Sequence, residues 1–416
     1  MIMILRVIRS KLWLGFLVAA TVAVPAQAEM IMVDKAEYES LKKAVEFLMS
    51  EQKKAMDAAT RAEEKADEAT EIAVATAEVV EEGPMAVFEG ISLGGYGEVH
   101  YNNYDAKDSA RDKDDADLHR FVIFLNKDFS DDLRIVSEFE IEHGGVEPDG
   151  DPLGGEVEME QAYLEYDMSD HTQVRGGVFL VPAGILNETH EPPTFYGVER
   201  NVVENIIIPS TWWEIGAGVT HRWDNGFSAD VAVHTGLEIP DSGRIRSGRQ
   251  KASNVEAEDL ATTVRLRYTG MPGLELAGSV QFQKDANQEG GDMIEDAQLY
   301  TAHAVLNKGP FGLTALYAKW ELDGDIEDDP SGADEQDGWY ITPSFKPVDW
   351  LGLYASYQDV DGARTQDQFE QWEVGFNWWL HPSAVVKANY KDREHDESSD
   401  RGRDFDGFDL GVGWMF

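Results

Sequence analysis

The last ten residues, Gly407–Phe416 (GFDLGVGWMF), alternate between two kinds of side chain. Every second position is large and apolar, namely Phe408, Leu410, Val412, Trp414 and Phe416. The intervening positions carry Asp409, Gly411, Gly413 and Met415. A period of two residues is that of a β-strand, so this segment predicts a strand with one apolar face.

The same split recurs upstream and raises the question of which face meets water. In 133–143 the apolar set is Ile135, Phe139 and Ile141, and the polar set is Arg134, Glu138, Glu140 and Glu142. A soluble β-sandwich would turn the apolar face inward, whereas a membrane barrel would turn it toward lipid. The barrel is favoured by the terminal phenylalanine and by aromatic residues near strand ends that suit the membrane interfaces: Tyr101, Tyr104, Trp212, Trp213, Trp339, Trp350, Trp378 and Trp379. Lipid offers the backbone no hydrogen-bonding partner, so such a sheet must close.

Sixteen segments carry this strand pattern: 91–104, 118–129, 133–143, 157–168, 171–182, 212–223, 227–237, 259–269, 274–284, 296–308, 311–321, 337–346, 351–359, 369–380, 384–392 and 407–416. Tight turns, such as Asp224-Asn225-Gly226, alternate with long acidic connections, such as 322–336. That asymmetry is typical of outer-membrane barrels. We therefore predict an all-β transmembrane barrel of about 16 antiparallel strands, enclosing an aqueous lumen instead of a packed core.

A different pattern precedes the strands. Residues 1–28 combine a basic start, an apolar run and the small-residue ending Ala26-Gln27-Ala28, which predicts a secretory signal peptide. Residues 29–84 contain a heptad-like seam from Tyr38 to Val80 and no glycine or proline before Gly83-Pro84. This pattern predicts an N-terminal α-helical coiled-coil segment in the periplasm, with a single spacer helix as the alternative. The barrel domain is then 85–416.

Composition and motifs exclude several other classes of protein. The chain has 416 residues with 79 acidic and 35 basic side chains, a net charge of −44, and no cysteine. It lacks the basic excess that a nucleic-acid-binding protein requires, and it cannot form disulfides or thiolate metal sites. His190-Glu191 is followed by Pro192-Pro193 instead of the helix of a zinc protease. We expect no catalytic residues, no metal and no cofactor.

One long connection, about 183–211, differs from the others because it is rich in proline and carries Ile206-Ile207-Ile208. A stiff, partly apolar loop can fold inward and pack against the wall, so we predict that it constricts the lumen. Its polar residues are the candidates to line the constriction: Asn187, Glu188, His190, Glu191, Glu199, Arg200 and Glu204. The alternative is that these residues only anchor the loop to the wall or to a neighbouring subunit.

The inferred lumen face carries charges of both signs. The lumen charge candidates are Arg134, Glu138, Glu140, Arg175, Glu214, Arg222, Arg265, Arg267 and Lys387. A basic cluster in the connection 238–258 either attracts anions or is simply solvated: Arg244, Arg246, Arg249 and Lys251. Rings of charge set the ion preference of a wide pore, so a mixed wall predicts weak selectivity of undecided sign.

Two stretches resemble a known family. They are EQAYLEYDMSDHTQVRGGVF (160–179) and GGVFLVPAGILNETHEPPTFYGVERNVVENIIIPSTWWEIGAGV (176–219), together with the ending GVGWMF. Over residues 90 to 416 the chain is similar to outer-membrane porins of the phosphate-selective porin O and P type. The resemblance implies a sixteen-stranded trimeric diffusion pore, which in some members is made selective by arginines and a lysine cluster. This chain is far more acidic, so the resemblance by itself assigns the phosphate role to no residue here.

These patterns predict an outer-membrane porin of a Gram-negative bacterium that passes small hydrophilic solutes and ions passively. The family resemblance favours anions such as phosphate, whereas the net charge favours cations. The expected partners are outer-membrane lipid, lipopolysaccharide and two further copies of the chain in a homotrimer. The alternatives are a structural tether to the cell wall through the helical extension and a barrel-borne enzyme.

Overall fold

The computed structural model describes residues 42–43, 89–145, 155–288, 293–328 and 333–416. From Ile91 onward, 16 strands form one closed antiparallel barrel in which each strand pairs with its sequence neighbours and β1 pairs with β16. The strands are β1 Ile91–Ala106, β2 Lys113–Asp128, β3 Leu133–Glu142, β4 Val157–Ser169, β5 Thr172–Leu180, β6 Trp213–Arg222, β7 Phe227–Thr235, β8 Leu260–Met271, β9 Leu274–Lys284, β10 Asp296–Lys308, β11 Phe311–Asp323, β12 Glu335–Val348, β13 Leu351–Asp361, β14 Gln368–His381, β15 Ala384–His395 and β16 Phe405–Met415. The predicted closed barrel of 16 antiparallel strands is confirmed.

Connections of different length lie at the two ends of the barrel. Tight turns, such as 272–273 and 382–383, join the strands at one end, and connections such as 143–156, 181–212 and 236–259 join them at the other. This follows from the up-and-down order, because successive connections in such a barrel fall on alternate ends.

The outer surface is apolar, as the alternation predicts. On β16 the exposed side chains include Leu410 and Val412, at 46% and 48%, whereas Asp409 is fully buried. On β9 Leu276 and Phe282 are exposed, whereas the inward-facing Ser279, Gln281 and Gln283 are buried. Every backbone group of a closed ladder is paired, so this surface can lie in hydrocarbon.

Two β-bulges change which residues face inward. Glu98 pairs with Arg120 and Val99 with Leu118, which leaves His119 as an extra residue of β2. Glu138 pairs with Gln161 and Phe139 with Met159, which leaves Glu160 as an extra residue of β4. A bulge redirects side chains, and here it places Glu160 on the buried inner face.

The lumen is not uniformly aqueous, in contrast to the prediction. An apolar cluster inside the barrel joins the inner faces of β10 and β11 to parts of the long connections; its members include Leu299, Leu316, Trp320, Val203, Ile207, Trp212, Leu237, Ile245 and Ile294. The connection 181–212, named L3 below, contains the short helix α1 (Val203–Ile206) and supplies one side of this cluster. The wall opposite an inward-folded apolar loop must itself be apolar, because apolar surface left facing water would cost free energy.

Of the eight aromatic residues predicted to lie at the membrane interfaces, only some lie on the outer surface. Trp339, Trp350 and Trp378 are exposed on the outer surface, and Tyr101 is partly exposed. For four others the interface prediction is wrong. Trp212 and Trp213 are buried. Tyr104 donates to Asp409 and Trp379 to the carbonyl oxygen of Pro193, so both side chains lie inside the barrel. Trp378 and Trp379 are consecutive, so the pleat of a strand turns one of them inward.

The predicted signal peptide, 1–28, lies outside the described residues. So does the predicted coiled coil, 29–84, except for Lys42 and Lys43, which are helical. Within the described part of the chain, no helix has the length and apolarity needed to cross a membrane.

A charge on the outer surface tests whether that surface contacts hydrocarbon. We expect Leu410→Arg to lower the free energy of unfolding of the barrel in lipid vesicles by about 2–4 kcal/mol, because an arginine near the bilayer midplane costs that much. Guanidinium titrations measure the effect, and Thr342→Arg, which faces the lumen, is the matched control. Equal stability of the two variants would show that Leu410 does not meet lipid.

Candidate pore constriction

L3 runs around the inside of the barrel and is hydrogen-bonded to many strands. Wall side chains donate to its backbone carbonyls at six places, over 2.7–3.2 Å: Ser279 to Pro182, Arg120 to His190, Trp379 to Pro193, Asn377 to Phe195, Lys387 to Gly197 and Trp320 to Ile207. These donors belong to β9, β2, β14, β15 and β11. The loop therefore crosses the lumen and is fixed on several sides.

Two glycines on β16 allow L3 to lie flat against the wall. A Cβ atom at Gly413 would lie 2.2 Å from Pro192, and one at Gly411 would lie 2.9 Å from Val198. Both distances are shorter than a van der Waals contact, so larger residues here would push the loop away. The small inward-facing residues of the last strand are thus explained by the loop that covers them.

The segment around Ile185 and Thr189 separates two cavities inside the barrel, since both residues line each of them. The first, named the arginine cavity, lies against β4 to β9 and is lined by Glu165, Arg175, Glu188, Arg222, Asp230, Arg265, Arg267 and Glu275. The second, named the tyrosine cavity, lies against β10 to β14 and is lined by Tyr196, Glu199, Thr314, Tyr340, Thr342, Ser344, Tyr354, Ser356 and Glu373.

The acids of the arginine cavity are paired, whereas three of its arginines are not. Arg265 bonds Asp230 at 2.9 Å and also Glu188, Glu165 lies 3.4 Å from Arg134, and Glu275 lies 3.0 Å from His303. Among the described residues, no carboxylate lies within 4.0 Å of the guanidinium nitrogens of Arg175, Arg222 or Arg267. Arginines and carboxylates are equal in number in the lining, four of each, and three guanidinium groups remain outside its ion pairs.

The tyrosine cavity has a different character. Its hydroxyls are largely engaged with one another and with carboxylates: Tyr354 donates to Glu373, Tyr340 donates to Glu204, and Thr342 and Ser356 lie 2.8 Å apart. The rings of Tyr196 and Tyr354 are 5.1 Å apart. The charged groups of this wall are all acidic, and Leu186, Phe195, Val305 and Leu313 add apolar surface.

Three of the predicted constriction residues are buried anchors of L3. The amide of Asn187 donates to the carbonyls of Val181 and Trp212 and accepts from the Trp212 N–H. Glu204 accepts from the N–H groups of Ile185 and Leu186 and from Tyr340. Burial raises the pKa of Glu204, and these hydrogen bonds oppose the rise. His190 is also buried, beside Glu138 and Glu160.

The other predicted constriction residues are partly exposed. Glu188 lines the arginine cavity, and Glu199 lines the tyrosine cavity, where His100 and Asn102 contact its carboxylate at 3.1 and 3.0 Å. Glu191 and Arg200 are half-buried and line neither cavity. The sequence analysis did not identify His100 and Arg120 as contacts of L3, although the alternation of β1 and β2 places polar side chains on the inner faces of these strands.

The lumen charge candidates separate into two groups. Arg175, Arg222, Arg265 and Arg267 line the arginine cavity, and Arg134 lies beside it, paired with Glu165 and Asp167. The others are buried in the wall: Glu138, Glu140, Glu214 and Lys387. Of these, Lys387 bonds L3 directly, and Glu214 accepts from the Trp212 indole at 2.8 Å.

Two of the four basic residues of the connection 236–259, Arg246 and Arg249, hold L3 in place, and Arg244 is exposed. Arg246 donates to the carbonyls of Asn205 and Ser210, Arg249 donates to that of Thr211, and Lys251 pairs with Glu156 and Glu158. Burial and the neighbouring Arg249 lower the pKa of Arg246 to about 9. Arg246, Arg249 and Lys251 thus make structural contacts that the sequence did not predict, whereas the exposed Arg244 agrees with the solvated alternative.

Comparisons with known proteins agree with this architecture. The sequence profile of a family described as Gram-negative porin matches residues 69–398. A protein of Aquifex aeolicus (strain VF5), described as uncharacterized, is 29% identical over 377 residues, which covers 80% of this chain and 83% of that protein.

Two solved structures share the fold. The anion-selective porin from Comamonas acidovorans has a TM-score of 0.56 at 14% identity and covers 78% of this chain and 99% of its own. OmpF of Salmonella typhi, in complex with daunomycin, has the same score and identity and covers 78% of this chain and 97% of its own. At these identities the likeness concerns the fold alone.

Proposed function

The chain belongs to the Gram-negative porins, and from that premise we propose that its channel prefers small anions and that they pass through the arginine cavity. A porin is an outer-membrane channel for passive diffusion of small hydrophilic solutes, and this family indicates a channel instead of an enzyme or a cell-wall tether. The finer resemblance, to phosphate-selective porins of the O and P type, is part of the proposal, with inorganic phosphate among the favoured anions.

The observation that carries the proposal is the set of unpaired guanidinium groups of Arg175, Arg222 and Arg267. Charges act over roughly 8–10 Å at physiological ionic strength, so the acidic residues elsewhere in the chain are largely screened from an ion in this cavity. One unit charge 4 Å from an ion in water contributes about 1 kcal/mol, which is a factor of about five in local concentration. An anion beside these three guanidinium groups is therefore governed by them more than by the net charge of −44.

Reversal potentials across a planar bilayer in a salt gradient test this proposal. We expect the wild-type channel to favour chloride over potassium and the triple variant Arg175→Gln, Arg222→Gln, Arg267→Gln to lose that preference by about fivefold or more. Adding phosphate to the chloride solution is expected to reduce the wild-type chloride current more than that of the triple variant.

The matched control removes one positive charge outside the cavities. Arg364→Gln changes an arginine that is paired with Asp367 in the connection 362–367, so its selectivity should equal that of the wild type. A wild-type channel that favours potassium, or a triple variant with unchanged selectivity, would contradict the proposal and favour the acidic connections as the selectivity element.

We further propose that the chain assembles as a homotrimer in contact with lipid and lipopolysaccharide. The helical extension would lie in the periplasm and form the predicted coiled coil. Sedimentation of the detergent-solubilised full chain is expected to give three protein copies per particle. A monomeric particle would exclude the trimer.

A further inference from the structure

A buried cluster of one histidine and two carboxylates lies where L3 meets the wall. Its members come from three different elements: Glu138 from β3, Glu160 from β4 and His190 from L3. They are 2%, 0% and 3% exposed. The His190 Nε2 atom lies 3.5 Å from Glu160 Oε2 and 3.7 Å from Glu138 Oε1.

Several polar atoms of this cluster have no hydrogen bond. In the described part of the chain, neither carboxylate oxygen of Glu160 has a hydrogen-bond partner, and neither does His190 Nε2. The two N···O distances are too long for hydrogen bonds. A buried polar atom without a partner destabilises the folded protein, and more so when it is charged. A group bound between the three side chains would satisfy these atoms.

The other ring nitrogen of His190, Nδ1, indicates what kind of group this is. Nδ1 lies 3.3 Å from the carbonyl oxygen of Asn187, an acceptor, so Nδ1 carries the proton in the neutral ring. Nε2 then presents a lone pair to two carboxylates. Metal-binding histidines are commonly oriented by a hydrogen bond of the second ring nitrogen to a backbone carbonyl. Three lone-pair donors that face one another attract a cation.

The balance of buried charges around the cluster also favours a bound cation. Glu140 adjoins Glu160, and neither of its oxygens has a hydrogen-bond partner among the described residues. The nearby guanidinium of Arg120 already bonds Glu98, and its Nη1 is 3.9 Å from Glu140. Glu138 receives only neutral donors, Tyr96 and Gln161. Buried carboxylates in such excess need a counter-charge.

We propose that Glu138, Glu160 and His190 bind a divalent transition-metal ion, with zinc as the best fit. Zinc takes nitrogen at about 2.0–2.1 Å and carboxylate oxygen at about 2.0–2.2 Å in a tetrahedron, which places ligand atoms about 3.4 Å apart. The observed 3.5 and 3.7 Å are close to that spacing. Glu140 or a water molecule supplies the fourth ligand. The bulge that turns Glu160 inward is what makes the site possible.

The metal joins the constriction loop to the barrel wall. His190 stands on L3, and both carboxylates stand on neighbouring strands, so one ion crosslinks the loop to β3 and β4. The bound ion stabilises the inward position of L3 in proportion to its affinity.

Isothermal titration of the full chain with zinc chloride tests the site. The protein is purified in detergent without a histidine tag and stripped with EDTA. We expect one zinc ion per chain in the wild type, and at least about tenfold weaker binding in His190→Gln and Glu160→Gln, since even the loss of an outer-shell partner costs about 10–100-fold. The heat-dependent gel mobility of each variant shows that its barrel is folded.

His119→Gln is the matched control, because His119 belongs to two other groups of histidine and carboxylate side chains, with Glu199 and His100 and with Asp117 and His143. It should bind zinc as the wild type does. Loss of binding in His119→Gln with retention in His190→Gln would overturn the assignment.

X-ray absorption of the zinc-loaded wild type gives a result that does not depend on variants. We expect one imidazole nitrogen with oxygen ligands at about 2.0–2.1 Å. No zinc uptake, or a shell without imidazole, would also overturn the proposal and leave a protonated His190 as the group between the carboxylates.

Discussion

Glu204→Ala is expected to release the Ile185–Leu186 segment from α1 and to raise amide exchange there by about 100-fold or more. The carboxylate accepts from the N–H groups of Ile185 and Leu186 and from Tyr340, and all of these groups are deep in the lumen. Each donor left without a partner costs about 1–3 kcal/mol, and about 1.4 kcal/mol is a factor of ten. Hydrogen-exchange mass spectrometry of peptides covering 184–208 measures the change.

The same variant should change conduction, because this segment separates the two cavities. Single-channel conductance is expected to rise as the cavities merge. Glu199→Ala is the matched control on the same loop: its donors keep other partners, with His100 bonded to Glu98 and Asn102 bonded to Asp409. Unchanged exchange in Glu204→Ala, or an equal increase in both variants, would show that Glu204 is not the anchor.

The strands could be predicted from the sequence because a barrel imposes one rule on every strand. One face contacts lipid and the other the lumen, so apolar and polar residues alternate, as at Leu410 and Asp409. Tight turns fix where each strand ends. The bulges at His119 and Glu160 are not visible in this pattern, since the extra residue is recognised only from the partner strand.

The constriction loop could be predicted, but the roles of its side chains could not. Prolines and the Ile206-Ile207-Ile208 run distinguish L3 from solvated loops, and the structure places it inside the barrel. A loop has no period, however, so nothing in the sequence separates buried anchors such as Asn187 from the half-exposed Glu188. The difference is set by distant residues, for example Tyr340 opposite Glu204.

Trp212→Ala is expected to loosen the C-terminal end of L3 by about 3–5 kcal/mol, the usual cost of truncating a large buried aromatic side chain. Trp212 is fully buried, its ring is 6.2 Å from that of Trp320, and its indole donates to Glu214. The truncation opens a cavity in the apolar cluster and leaves the Glu214 carboxylate short of a donor. We expect faster amide exchange over 203–213 and noisier single-channel currents.

The strand ladder does not depend on Trp212, so the loop and the barrel should respond separately. The thermal midpoint of barrel unfolding in detergent is expected to change much less than exchange in the loop, because each strand remains paired with both neighbours. Trp350→Ala, at an exposed turn on the outside, removes the same side chain without opening a cavity and should leave both the exchange and the currents unchanged. If Trp212→Ala instead lowered the thermal midpoint as much as it loosened L3, the apolar cluster would be a core that holds the barrel itself together. The inward loop would then be a structural plug that the channel cannot lose.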